Sequence, residues 1–93
     1  MIRSFASRET EFFFDQRKTR SIPPNIQRVA LRKLVQLHAV TELNHLSVPP
    51  GNRLEALKDD RKGLHSIRIN DQWRICFRWK ADGPHEVEIV DYH

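Results

Sequence analysis

The chain has 93 residues, with 16 Lys and Arg against 12 Asp and Glu and a formal net charge of +4, a length that supports one domain, 1–93, and one modest core. Apolar residues at 39% and charged residues at 30% place it with soluble globular chains rather than with disordered or membrane-spanning ones. One cysteine, Cys76, and three glycines exclude an internal disulfide, a Cys-rich zinc site and the glycine-rich phosphate loops of nucleotide-binding folds.

The first half reads as helix. Ser7 is placed to cap a short helix over Glu9, Phe12, Phe13 and Asp15 to about Arg17, with acids in the first turn and an aromatic cluster expected to be buried. Pro23 and Pro24 suit a first helical turn. From there Ile26, Val29, Ala30, Leu34 and Leu37 recur at three- and four-residue spacing, which predicts a long amphipathic helix to about His38–Thr41. Val48-Pro49-Pro50-Gly51-Asn52 is a breaker cluster that divides the helical half from the rest.

Beyond it the period changes to two. Arg53 to Leu57 reads as a short strand, Lys58 to Gly63 as a charged loop, and Leu64 to Ile69 as the next strand. Asn70-Asp71-Gln72 supplies a turn into Trp73–Lys80, whose strict alternation is the clearest strand signal in the sequence. Ala81 to Pro84 turns the chain again into a final strand carrying Val87 and Ile89 on one parity. The expected fold is α+β, with two N-terminal helices packed on one face of a mainly antiparallel sheet of four to five strands. With Ile67, Ile69, Ile75, Phe77, Val87 and Ile89 facing the helices, Arg68, Arg74, Arg78 and Tyr92 share the opposite, cationic face.

Charge is unevenly spread. Residues 1–52 and 53–80 each carry eight basic and four acidic side chains, whereas residues 81–93 carry four acids and no Lys or Arg. Eleven of the sixteen cations are arginine, the side chain that engages phosphate bidentately and stacks on bases. A polyanion therefore suits the surface, although +4 is also a charge that merely keeps a small domain in solution. Cys76, between two arginines, has cations at hand to lower its pKa but reads best as a small filler. His38, Glu42 and His45 have spacings a metal could use, and a surface role is the better reading. His65 reads as an imidazole at the edge of the core, and Trp73 and Trp79 as packing residues. No apolar stretch of signal-peptide length follows Met1, so a cytoplasmic protein without membrane contact is expected.

RNA cleavage without a metal needs a base for the 2′-hydroxyl, cations around the phosphorane and an acid for the departing 5′-oxygen. Asp91-Tyr92-His93 supplies a carboxylate, a phenol and an imidazole, Arg74 and Lys58 can neutralise phosphate, and Glu55 is a possible base. A lone terminal histidine is more often a frayed surface residue. Residue types alone leave both readings open.

The segments Arg53-Leu54-Glu55-Ala56-Leu57-Lys58-Asp59-Asp60-Arg61-Lys62-Gly63 and Ser66 to Phe77, with Met1 to Phe5 and the terminal Asp91-Tyr92-His93, resemble the HigB (plasmid maintenance killer) family within the RelE/ParE superfamily. The combination spans essentially the whole chain. The resemblance implies a type II toxin that enters the A site of the small ribosomal subunit and cuts mRNA there. It implies a HigA-like helix-turn-helix antitoxin as partner, operator DNA reached only through that antitoxin, and no cofactor or metal. Glu55, Arg74, Asp91, Tyr92 and His93 are then the expected catalytic residues, and Lys58, Arg61, Lys62, Arg68 and Arg78 the expected substrate-binding ones. Some members carry histidine where this chain has Glu55, which leaves the division of acid and base between Glu55, Tyr92 and His93 open. Two other readings stand beside this one: a ParE-like toxin acting on DNA gyrase, and a non-enzymatic basic module that binds RNA or the ribosome.

Overall fold

A computed structural model describes residues 1–92 of the chain. Helix α1 spans Arg8–Gln16 and starts where expected: Ser7 Oγ accepts the Thr10 N–H at 3.0 Å, and Glu9 and Glu11 lie in the positive first turn. Arg17 ends it in the left-handed region (φ 63°), donating its N–H to Phe13 O. The three consecutive phenylalanines do not share one fate. Phe13 is 0% exposed and sits in the core, Phe14 packs at the edge against Phe5 and His38, and Phe12 is 54% exposed. This corrects the expectation of a buried cluster, because neighbouring residues on a 3.6-residue helix point about 100° apart and cannot all face inward.

Helix α2 spans Pro24–Ala39 and buries Ile26, Ala30, Leu34 and Leu37 against the sheet. His38 Nδ1 accepts the Ile2 N–H, and His45 pairs with Glu42 on the surface, so the two imidazoles serve separate local contacts. The breaker cluster is organised by two short 3-10 turns, Leu43–Ser47 and Pro50–Asn52. At the end of the second turn Asn52 is fully buried, and its Nδ2 donates to Leu46 O and Gln36 Oε1, each at 3.0 Å.

The sheet holds β1 (Glu55–Ala56), β2 (Leu64–Arg68), β3 (Trp73–Lys80) and β4 (Gly83–Asp91), antiparallel and in that order. The strand expected over 53–57 is only two residues long. Arg53 lies in the left-handed region (φ 45°, ψ 56°), so extended chain cannot begin before it. In the register Ile67, Ile75 and Ile89 form one row facing the helices, joined in the core by Phe77 and Val87. The outer edge of β4 is covered by residues 3–6. Arg3 N and Ala6 N donate to Pro84 O and Val87 O, Val87 N donates to Ser4 O, and Phe5 forms a parallel bridge with Val87.

Candidate active site

The site is built on the face of the sheet away from the helices. Residues opposite one another in an antiparallel pair share a face. The register therefore sets Glu55, Ser66, Cys76 and Glu88 in one row across all four strands, and Arg68, Arg74 and Val90 in the next. Tyr92, two residues past Val90, continues that face. It is tied down where its N–H donates to Gln72 O at 2.6 Å, which holds Tyr92 against the turn between β2 and β3.

The charged loop brings its cations to the same place. Asp59–Arg61 form a 3-10 turn, with Asp59 at positive φ and Lys58 just before it. Gly63 (φ 94°) then turns the chain into β2 in a backbone conformation that residues with a Cβ adopt only at a cost, and a Cβ there would also displace the Arg78 guanidinium, whose Nη1 stands 2.4 Å away. Glu55, Ala56, Leu57, Lys58, Asp59 and Tyr92 line a cleft of about 370 Å³. The guanidiniums of Arg61 and Arg74 lie over the Tyr92 ring, 5.7 and 5.6 Å from its centre, a separation at which cation and ring attract.

Glu55, Lys58, Arg61, Arg74 and Tyr92 are thus gathered into one site. Arg74 departs from the expected open position: it is only 9% exposed. Its Nε donates to Ser66 Oγ and its Nη2 to Arg53 O, both at 2.7 Å. Asp91 pairs with Trp73 in the register, which sends it toward the other face, and its Oδ2 accepts from Gln72 Nε2 at 3.1 Å. His93 lies outside the described residues. Arg68 is paired with Asp71, and Arg78 with Glu86 at 2.9 Å, so both guanidiniums of the open face outside the cleft are already matched by carboxylates. Lys62 closes the 3-10 turn and is exposed.

The remaining titratable groups follow burial. Cys76 is buried, and this pushes its thiol up despite the nearby Arg61 and Arg74, so the cations do not activate it. His65, stacked on Phe77 with its Nδ1 buried and without a hydrogen-bond partner among the described residues, is held below the usual imidazole range by burial. Lys33 is lowered by burial and then by Arg32, Arg68 and Arg74, and its Nζ donates to Arg68 O at 2.5 Å. Sequence reasoning passed over Ser66 and the backbone of Arg53. Ser66 has a legible signal, since it shares parity with Arg68 and hence with the arginine face. The Arg53 carbonyl has none, because its direction comes from a positive φ at a residue type that seldom adopts one.

The profile of the HigB-like toxin family, described as the RelE-like toxin of the type II toxin–antitoxin system HigB, matches residues 3–93. The chain belongs to the HigB toxin family. It is 42% identical over 83 residues to Toxin HigB-1 of Vibrio cholerae serotype O1, covering 89% of this chain and 86% of that protein. It is 30% identical over 94 residues to Endoribonuclease HigB of Proteus vulgaris, covering 100% of each. Among solved structures, a YafQ mutant from E. coli superposes with a TM-score of 0.59 at 14% identity, covering 98% of this chain and 91% of that one. A YoeB/ParE toxin from Agrobacterium tumefaciens gives 0.57 at 21%, covering 99% and 98%. These two likenesses bear out the RelE/ParE-like fold. As a type II toxin of the HigB family, the chain has an antitoxin as its partner, and no helix among the described residues is long and apolar enough to cross a membrane.

Proposed function

We propose that this HigB-family toxin is an endoribonuclease that cuts mRNA in the A site of the small ribosomal subunit by acid–base chemistry of its own side chains. The observation that carries the reading is the convergence of Glu55, Lys58 and Tyr92 in one cleft with the Arg61 and Arg74 guanidiniums on the Tyr92 ring. The full-length likeness to a protein named as an endoribonuclease supports it. Glu55 is exposed, which suits it to accept a proton rather than to donate one. It or His93 removes the 2′-hydroxyl proton, the 2′-oxygen attacks the phosphorus, and the 5′-oxygen leaves with a proton from His93 in the first case or from Tyr92 in the second. Cleavage in this way ends in a 2′,3′-cyclic phosphate and a 5′-hydroxyl. Arg74 and Lys58 stabilise the charge that grows on the phosphorane. Tyr92 orients the nucleotide by stacking or assists the proton transfer, Asp91 fixes His93, and Arg61 and Lys62 hold flanking phosphates. The antitoxin is HigA-like, with a helix-turn-helix domain that carries the contact with operator DNA, and the toxin works in the cytoplasm where ribosomes translate.

Primer extension on a translating message tests this reading. Cuts inside codons at the A site, present with ribosomes and absent without them, are expected. Tyr92→Phe combined with His93→Gln should lower the rate by about 10²–10⁴-fold, the usual contribution of an acid–base group. Full cleavage by that double variant refutes the site.

A further inference from the structure

We infer that Ser66 and the backbone carbonyl of Arg53 are the positioning device for Arg74, holding its guanidinium in place while leaving its positive charge available to an RNA phosphate. The inference rests on the cleavage reading of the cleft given above. Three arginines lie on the open face of the sheet, and they are held in two different ways. Arg68 and Arg78 are each bound by a carboxylate, Asp71 and Glu86. Arg74 is bound by two neutral oxygens: Nε donates to the Ser66 hydroxyl and Nη2 to the Arg53 carbonyl, both at 2.7 Å, with a longer approach of Nη2 to Ser66 O at 3.5 Å. Among the described residues no carboxylate lies within 4.0 Å of Arg74, and its Nη1 meets no acceptor.

The difference matters chemically. A carboxylate cancels the charge of the guanidinium it orients, whereas a hydroxyl or a carbonyl orients it through a dipole and leaves the full unit of charge. A cation that must stabilise a developing phosphorane is most effective when it is fixed in advance and not neutralised. Both oxygens are themselves fixed. Ser66 is 0% exposed in the middle of the sheet, between Glu55 of β1 and Cys76 of β3. The Arg53 carbonyl is aimed at Arg74 from a residue in the left-handed region, a conformation that non-glycine residues adopt at an energetic cost and that gathers at functional sites. The same guanidinium lies over Tyr92, so its placement also sets the ring that lines the cleft.

Ser66 is thus a positioning residue rather than a catalytic one, and its loss should fall on turnover rather than on binding. With ribosomes programmed with a defined A-site codon, Ser66→Ala should lower kcat by about 10²-fold, the penalty for a misplaced catalytic group, with KM within about threefold of the parent. Because Ser66 acts through Arg74, adding Ser66→Ala to Arg74→Ala should slow the residual cleavage no further, and Ser66→Thr, which keeps the hydroxyl, should restore most of the rate. The parent protein also offers a direct readout, since the Arg74 Nε–H should give a slowly exchanging NMR resonance that disappears in Ser66→Ala. An Arg74 Nε–H that exchanges as fast as those of surface arginines overturns the inference, even where a variant does not fold. An unchanged kcat in Ser66→Ala, or additive losses in the double variant, overturns it also. A parent protein that cuts no ribosome-bound message refutes instead the cleavage reading on which it rests.

Discussion

Asn52→Ala is expected to destabilise the protein and to reach the cleft from a distance. Asn52 is fully buried at the end of the Pro50–Asn52 turn that leads toward β1, and its Nδ2 bonds Leu46 O and Gln36 Oε1 at 3.0 Å, with a weaker approach to Val48 O at 3.4 Å. Two good hydrogen bonds contribute about 1 kcal/mol each, and the buried Leu46 carbonyl would be left without this donor. Against this, the parent already carries a buried oxygen, Asn52 Oδ1, that has no hydrogen-bond partner among the described residues, and the alanine removes that burden. The net loss is therefore about 1–2 kcal/mol, which for a domain of this size lowers Tm by roughly 5–15 °C. Thermal unfolding followed by circular dichroism at pH 7 measures it. The neighbouring residue is Arg53, whose carbonyl holds Arg74, so cleavage measured well below Tm should fall as well. A Tm within 2 °C of the parent would refute this account of the buried amide, and unchanged cleavage alongside a lowered Tm would show that Arg53 keeps its backbone without Asn52.

The other expectations concern charge, packing and pH. Arg74→Ala should lower single-turnover cleavage by about 10²–10³-fold, whereas Arg68→Ala and Arg78→Ala, whose charges Asp71 and Glu86 already match, should each cost less than about tenfold by primer extension. Phe13→Ala should cost about 3–5 kcal/mol in urea denaturation, while Phe12→Ala, at an exposed position, should stay within about 0.5 kcal/mol of the parent. Burial holds the folded pKa of His65 below that of the unfolded chain, so the unfolded state takes up the proton first as pH falls. Stability from this group is complete above about pH 6.5 and is lost below it, down through the folded pKa. His65→Leu should therefore show a flatter dependence of Tm on pH between about 7 and 5 than the parent.

The elements governed by local chemistry were legible in the sequence. The Ser7 cap, the proline start of α2, the Asn70 turn and the alternation of β3 each depend on residues close in sequence, and each is found at its expected place. What escaped depends on register and on backbone direction. Nothing local in Arg78 shows that a shift in register opposite β4 brings Glu86 to it, so its charge read as available when it is matched. Parity placed Arg74 on the correct face but gave no sign that Ser66 and the Arg53 carbonyl draw it into the sheet. The buried aromatic cluster failed for a simpler reason: adjacent residues on a helix stand about 100° of rotation apart, so burying Phe13 turns Phe12 outward.

The strip of chain that lies along β4 bears on how this protein meets other molecules. Residues 3–6 occupy the Pro84–Val87 part of that edge, and at the other border β1 offers only two residues, so among the described residues the rows of free backbone groups are interrupted. Such rows recruit strands from neighbouring chains and seed aggregation. The stretch of β4 that residues 3–6 cover is thereby closed to strand addition from another chain.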